Sequence, residues 1–387
     1  MDNDEIIFHL AEDRARYFEA VTPPIIQSSN FVFESIADLR QKVVAESENY
    51  VYSRGINPTV DILRKKIAAL ENAEDALVVG SGVAAISCAV MANLKTGDHV
   101  LCVDKPYSWT KKLFDQYLPK FGISVDYFVW ENQESFQSQI KANTRVVFLE
   151  SPNSLTFELQ DLGAIAEICK SKGIISIIDN SHTSPLYQKP INFGIDIVVH
   201  SATKYLNGHS DVMMGVICSS QEMIKKIFYG EYMTLGPIVS AHDAFLAIRG
   251  LRTLPIRLEQ SDKTCLQLFH YFKNHPKVRK VYYPFDPDAA QYDLAKKQMS
   301  GNGGLISIEL AVETKEEVNA FVEKISKFMM AASWGGYESL FLPTLAFYDI
   351  PGWKNPVLPF QLIRFYVGLE EFDYLVADLD AAFEAIG

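Results

Sequence analysis

At 387 residues the chain is too long for one small core, and its length favours two domains. Hydrophobic residues make up 48% and charged residues 22%, the balance of a folded protein rather than a disordered one. A formal net charge of -12 opposes nucleic acid or an anionic membrane surface as a partner, although a few local donors can still reverse the field inside a pocket. Cys88, Cys102, Cys169, Cys218 and Cys265 are dispersed, odd in number and without a C-x-x-C pair, so reduced thiols and no metal site are expected. The acidic start, Met1 to Arg14, lacks a long apolar stretch, and no later segment is apolar for long enough to span a bilayer. A cytoplasmic location is expected.

In chain order, the first compact group is Val51-Tyr52-Ser53-Arg54-Gly55, which from its residues alone reads as a helix-entry loop. Asn57 is a good N-cap, Pro58 suits the first helical position, and Leu63, Ile67 and Leu70 recur on one face, so a helix is predicted to end near Glu71 and Asn72. Short apolar runs then alternate with helix-like segments. Strands are predicted at Ala76 to Val79, His99 to Val103, Arg145 to Leu149, Ile174 to Ile178, Ile195 to Val199 and Val212 to Ile217, with a helix at Leu162 to Lys172. This alternation implies a mainly parallel sheet covered on both faces. The composition shifts near residues 230 to 260, where long helical patterns cover Ser240 to Leu251 and Arg257 to Asn274. A strand at Gly304 to Leu310, a helix from Lys315 to Phe328 and a strand at Leu362 to Val367 follow, the pattern of a smaller α+β domain. The proline-rich, aromatic stretch Phe341 to Pro359 reads as a binding loop or lid.

Ser201, Thr203 and Lys204 directly follow the Ile195 to Val199 run, at the carboxyl edge where open α/β sheets place ligands. The two hydroxyls can donate to phosphate oxygens, and a desolvated lysine can attack an aldehyde, a combination that points to a Schiff base with pyridoxal 5'-phosphate (PLP). Asp179 stands in the same relation to its own strand, where a carboxylate can pair with a protonated pyridine nitrogen. Gly80-Ser81-Gly82-Val83-Ala84-Ala85 opens a helix whose free amides can bind a phosphate. The same glycines, with Ala85 and with Asp104 about twenty residues on, also satisfy the dinucleotide fingerprint. Tyr107 lies where an aromatic could stack on a flat ring. Arg364, inside an apolar strand, needs an acid partner, either a substrate carboxylate or an internal salt bridge.

Several motifs in order resemble the Cys/Met-metabolism enzymes dependent on PLP: Tyr52-Ser-Arg54 with Asn57-Pro-Thr59, Ser81 to Ile86, Glu150-Ser-Pro152, Ile178-Asp-Asn180, His200 to Leu206, Arg249 to Leu254 and Ser333 to Leu340. The resemblance implies the fold-type-I PLP-dependent transferase architecture, α/β with a mainly parallel sheet in a large domain and a smaller C-terminal α+β domain. The implied boundaries are an arm at 1–50 contacting the neighbouring subunit, a large PLP-binding domain at 51–245 and a C-terminal domain at 246–387. It implies that Lys204 carries the cofactor, Asp179 pairs with the ring nitrogen, Tyr107 stacks on the ring, and Ser201, Thr203, Gly82 and Val83 hold the phosphate. Tyr52 and Arg54 would reach the phosphate of a neighbouring subunit, making a dimer the active unit and a homotetramer the expected assembly. Arg364, with Ser333, would bind the substrate α-carboxylate.

Within the family, Ser333-Trp334-Gly-Gly-Tyr-Glu-Ser-Leu340 resembles the bacterial cystathionine β-lyases, whereas the γ-lyases and γ-synthases usually carry leucine at Trp334. Ser154 replaces the asparagine usual in the γ-enzymes, while Tyr52 to Thr59 is closer to the general family. The expected reaction is β-elimination on a sulfur amino acid such as cystathionine, giving homocysteine, pyruvate and ammonia, a step of transsulfuration and methionine biosynthesis. Lys204 would take the Cα proton, and either Tyr107 or Lys204 would protonate the departing sulfur. The alternatives are γ-elimination or γ-replacement on the same scaffold and, more remotely, a nicotinamide-dinucleotide enzyme.

Overall fold

The apolar runs of the first half assemble into one sheet. In the computed structural model, which describes residues 1–352 and 354–386, the strands are β1 (Asp75–Val79), β2 (His99–Val103), β3 (Ser124–Phe128), β4 (Thr144–Glu150), β5 (Ile175–Asp179), β6 (Ile197–Ser201) and β7 (Gly215–Ser219). Their order is β1-β7-β6-β5-β4-β2-β3. Only β7 runs against its neighbours β1 and β6, so the sheet is mainly parallel, as expected. β3 is not among the predicted strands; it lies at the edge, and within Ser124-Val-Asp-Tyr-Phe only Phe128 is fully buried, which leaves little apolar signal. β6 begins two residues later than predicted. Asp196 is drawn out of the strand by accepting the Ser176 amide (2.8 Å) and hydroxyl (2.7 Å), and Ser201 becomes the last strand residue.

The chain divides into two units: Met1–Ser151, Gln160–Asn207 and Asp211–Arg252 form the first, and Pro152–Leu159, Gly208–Ser210 and the residues from Thr253 onward form the second. In the second, β8 (Val278–Tyr282), β9 (Leu305–Leu310), β10 (Met329–Met330), β11 (Leu340–Pro343) and β12 (Leu362–Tyr366) lie in the order β10-β11-β12-β9-β8. Phe272, Ile306, Ile308, Phe365 and Leu379 lie in its hydrophobic core, with the Leu254–Lys273 and Phe372–Glu384 helices. The helix predicted from Lys315 to Phe328 stops at Lys324. Asp378 captures the amides of Ser326 (3.0 Å), Lys327 (2.8 Å) and Phe328 (3.3 Å), and a carboxylate with three amide donors is a stronger stop than apolar periodicity is a continuation. Part of the predicted 341–359 loop is strand β11 and a turn of 3-10 helix at Thr344–Phe347; Thr344 donates to the Pro359 carbonyl at 2.5 Å and ties the segment's ends together. Trp353, within that loop, lies outside the described residues, as does Gly387. Among the described residues no helix is long and apolar enough to cross a membrane.

The helix at Pro58–Leu70 follows its prediction. Asn57 is extended and its side chain accepts the Thr59 amide at 2.9 Å, and Leu63, Ile67 and Leu70 are fully buried. Each such side chain contributes about 1.5–3 kcal/mol of burial. The same helix carries Lys66, also fully buried, whose ammonium donates to the carbonyls of Ile6 (3.1 Å) and Ile7 (2.9 Å) and pairs with buried Glu12 at 3.1 Å. That cation receives the C-terminal carbonyls of the Asn3–Phe8 helix, with Ile6 and Ile7 buried beside it. Burial lowers the Lys66 pKa, and Glu12 opposes that shift. Replacing Lys66 by alanine removes one partner of a buried pair and should cost about 3 kcal/mol. The checks are a lower denaturation midpoint and faster proteolysis before Arg14; an unchanged midpoint would show that Glu12 is satisfied by Arg14 and Arg252 alone.

Candidate active site

Asp179 ends β5 and Ser201 ends β6, so the parallel sheet delivers both to one edge. Ser181 joins them. Its hydroxyl donates to Asp179 Oδ1 at 2.5 Å and accepts the Ser201 amide at 2.6 Å, while the Ser181 amide also donates to Asp179 Oδ1 at 3.0 Å. These bonds use Oδ1 alone. Burial raises the Asp179 carboxyl above its ordinary value, against the lowering effect of the Ser181 bonds and of His200 and Lys204. A carboxylate with one oxygen held and the other without a hydrogen bond suits a protonated ring nitrogen.

The turn after β6 is tied down locally. The Lys204 amide donates to Ser201 O at 3.0 Å, and the Asn207 amide donates to Ala202 O at 3.0 Å. Thr203 and Met214 exchange bonds: the Thr203 amide donates to the Met214 carbonyl at 3.1 Å, and the Thr203 hydroxyl accepts the Met214 amide at 2.9 Å. The hydroxyl also donates to Met214 O at 3.2 Å, so its proton serves the turn here and would have to rotate away to reach a phosphate. This exchange also explains why β7 starts at Gly215 rather than at the predicted Val212. Lys204 is half-buried at the end of this turn.

Facing the turn is the N-terminus of the Gly82–Met91 helix. Ser81 caps it, its side chain taking the Ala84 amide at 3.1 Å and its carbonyl taking the Ala85 amide at 3.1 Å, which leaves the Gly82 and Val83 amides for an anion. The approach is close: a Cβ on Gly82 would lie 2.7 Å from Ser201 Cβ and 2.9 Å from its Oγ, and a Cβ on Gly215 would lie 2.1 Å from Ser81 O. Glycine is needed at 82 for that reason. The Gly82 and Val83 amides and the Ser201 hydroxyl are thereby brought together, an arrangement able to receive an anion such as a phosphate. Tyr107 is 41% exposed, and its backbone amide is held by Glu150 Oε2 at 2.8 Å. Burial, then the carboxylates of Asp179 and Glu150, push its phenol pKa upward, so it is protonated at neutral pH. Tyr52 and Arg54 are both exposed on the loop before Asn57, with the guanidinium 5.7 Å from the ring centroid.

In the second unit Arg364 occupies the middle of β12. It is only 9% exposed, Nη2 donates to Ser333 O at 3.0 Å, and Nε is buried without a partner. Burial alone pulls the guanidinium down to about 10, so it stays charged at neutral pH. Of the two partners left open by the sequence, the internal salt bridge is not formed among the described residues. Ser333 and Trp334 are half-buried in the segment that precedes β11. Residue reading gives no functional role to Glu150 or to a buried pair behind β6, Glu71 and His200, joined at 2.5 Å, and offers Ser181 only as part of a turn capped by Asp179, a turn that is formed. The signal for Ser181 lay in its position two residues beyond Asp179, where a hydroxyl can close a turn on the carboxylate. Glu71, at the end of an amphipathic helix, gave no such signal.

Comparison with known proteins specifies the class of enzyme to which this fold and site belong. Residues 5–384 match the family model described as Cys/Met metabolism PLP-dependent enzyme, and the chain belongs to that family. It is 37% identical to an L-methionine gamma-lyase of Fusobacterium nucleatum subsp. nucleatum, over 94% of this chain and 93% of the relative. It is 34% identical to the cystathionine beta-lyase MetC of Bacillus subtilis (strain 168), over 95% of this chain and 92% of that one. The crystal structure of metB from Corynebacterium glutamicum superposes with a TM-score of 0.92 at 29% identity, covering 99% of this chain and 98% of that one. PLP is therefore the cofactor, and the dinucleotide reading of Gly80 to Ala85 falls away. Replacing Gly82 by alanine forces a Cβ against Ser201, an overpacking worth about 1–3 kcal/mol or roughly 10- to 100-fold in PLP affinity. Titration of the apoprotein with PLP, followed by absorbance, reads this directly; unchanged affinity would place the phosphate elsewhere.

Proposed function

We propose that this enzyme catalyses β-elimination on an S-substituted cysteine, with cystathionine as the favoured substrate: cystathionine and water give homocysteine, pyruvate and ammonia. The observation that carries an amino acid as substrate is Arg364, a buried guanidinium with an unpartnered Nε and, among the described residues, no acid beside it, which calls for an incoming carboxylate; that the amino acid contains sulfur follows from the family. Ser333 orients it through the 3.0 Å bond to its carbonyl. Trp334 directly follows, and an indole where γ-enzymes usually carry leucine leaves less room along the side chain, favouring cleavage at the nearer carbon–sulfur bond.

PLP, when bound, supplies the electron sink that makes the Cα proton acidic. Asp179 holds the ring nitrogen's proton through its open Oδ2. Gly82, Val83 and Ser201 hold the phosphate, with Thr203 once its hydroxyl turns from Met214. Lys204 would carry the cofactor, and its amine, when free, would remove the Cα proton. Tyr107 would stack on the ring, and its protonated phenol, like the Lys204 ammonium, could deliver a proton to the leaving sulfur. Tyr52 and Arg54, exposed and adjacent, reach the phosphate of a neighbouring subunit. The arm at 1–50 then lies against that subunit; its exposed apolar residues Phe18, Val21, Val32, Ile36 and Val44 support a homo-oligomer, a dimer as active unit within a tetramer. The proposed functional domains are 51–245 and 246–387, close to the packing boundary at Arg252 and Thr253, although 152–159 and 208–210 pack with the second unit, and the five buried free thiols support a cytoplasmic location.

A second reading is γ-elimination or γ-replacement, favoured by the 37% identity to a protein named L-methionine gamma-lyase. It needs a second proton removed, at Cβ. Product analysis separates the two. With cystathionine, pyruvate and homocysteine are expected, and Lys204→Ala should lower turnover by at least 10²-fold, as loss of a proton-transfer group does. Formation of 2-oxobutyrate instead of pyruvate, or undiminished turnover by the Lys204→Ala variant, would overturn the assignment.

A further inference from the structure

Strand β12 presents two faces. Ile363 and Phe365 lie in the hydrophobic core of the second unit, so Leu362, Arg364 and Tyr366 take the opposite face. Within the sheet Arg364 is paired with Leu342 of β11 on one side and with Ser307 of β9 on the other. Directly opposed residues of an antiparallel pair point the same way, with their Cβ atoms about 5 Å apart. Ser307 is fully buried, and its hydroxyl has no hydrogen-bond partner. Arg364 Nε is buried and has none either. A hydroxyl can accept and Nε–H can only donate, so two complementary and unused groups stand on neighbouring strands. Glu309 and Tyr366, the other polar residues on this face of β9 and β12, are engaged elsewhere: Glu309 accepts the Tyr282 hydroxyl, and the Tyr366 hydroxyl donates to Gly336 O at 2.7 Å.

A buried hydroxyl costs stability unless something uses it. Along the arginine side chain Nε lies nearer the strand than the two terminal nitrogens, so an acid arriving at the guanidinium meets the terminal nitrogens and leaves Nε to be partnered from the sheet. We propose that Ser307 is a positioning residue for Arg364: once a substrate carboxylate engages the terminal nitrogens, Ser307 Oγ accepts the Nε hydrogen and fixes the plane of the guanidinium. This deepens the proposed function and rests on the assignment of Arg364 to the substrate carboxylate. In the ligand-free enzyme the bond is unmade, and the guanidinium is steadied through Ser333 O at 3.0 Å. Ser307 touches no substrate atom and works through the arginine.

The test is the binding of glycine and of glycinamide to the PLP-loaded enzyme, followed by visible absorption, in the parent, Ser307→Ala, Ser307→Cys, Arg364→Ala and the Ser307→Ala/Arg364→Ala double variant. The two ligands share an amine and differ at the carboxylate. Ser307→Ala is expected to weaken glycine binding roughly tenfold, the worth of one hydrogen bond from a charged donor, and to leave glycinamide within about twofold. Ser307→Cys keeps the volume but accepts poorly, so it loses as much as alanine does. In the Arg364→Ala background, Ser307→Ala adds no further loss. The melting temperature of ligand-free Ser307→Ala stays at or above that of the parent, because no bond is lost. Unchanged glycine binding in Ser307→Ala, an equal loss for both ligands, recovery in Ser307→Cys or a loss that persists without Arg364 each overturns the proposal. So does a lowered ligand-free melting temperature, or an alanine variant too unstable to fold, since either shows a hydroxyl already bonded in the fold. Glycine binding in Arg364→Ala equal to the parent's sinks instead the assignment of Arg364 to the carboxylate.

Discussion

Much of the first unit's site depends on one hydroxyl. Parallel pairing of β5 with β6 ends where the Asn180 amide meets Val199 O, and β6 runs on to Ser201 with its amide facing no strand carbonyl. Ser181 supplies the acceptor at 2.6 Å and passes its own proton to Asp179 at 2.5 Å. A buried amide left unpaired costs about 1–3 kcal/mol, so the bridge both stabilises the strand end and sets the distance between the carboxylate and the lysine turn. The approach of Gly82 to Ser201 follows from it, because the helix N-terminus packs on a β6 end whose position is already fixed.

The charges are arranged so that each unit holds groups unsatisfied as they stand. Asp179 is raised by burial despite two hydrogen bonds, and Tyr107 is raised by burial and by carboxylates nearby. In the second unit Arg364 is buried with a carbonyl as its partner in place of an acid. A net charge of -12 does not oppose an anionic cofactor, because free helix-start amides such as those of Gly82 and Val83 act locally and over short distances. Groups left in this condition lower stability unless a ligand answers them, and they tend to mark functional sites for that reason.

What could be read from sequence divides along physical lines. The helix at Pro58–Leu70 was legible because cap, proline and apolar period agree, and the parallel strands were legible because they are apolar throughout. Asp179 and Lys204 stood out as charges directly after such runs. Edge strand β3 was not legible, since its half-exposed pattern differs little from a loop. Nor were Lys66, Glu71 and Asp378, three buried charges that look like ordinary surface residues until the backbone amides and carbonyls they satisfy are brought to them from distant segments. Arg364 shows an intermediate case: its strand position announced a buried guanidinium, but only the fold could show that no acid among the described residues accompanies it.

The central claim is that Lys204 is the residue to which PLP is attached. Borohydride reduction of the PLP-loaded enzyme, followed by proteolysis and mass spectrometry, fixes the cofactor permanently to whichever lysine holds it. The account predicts a single pyridoxyl-modified peptide, spanning His200 to Leu206 with the added mass on Lys204. Modification of a different lysine, with Lys204 recovered unmodified, would contradict it.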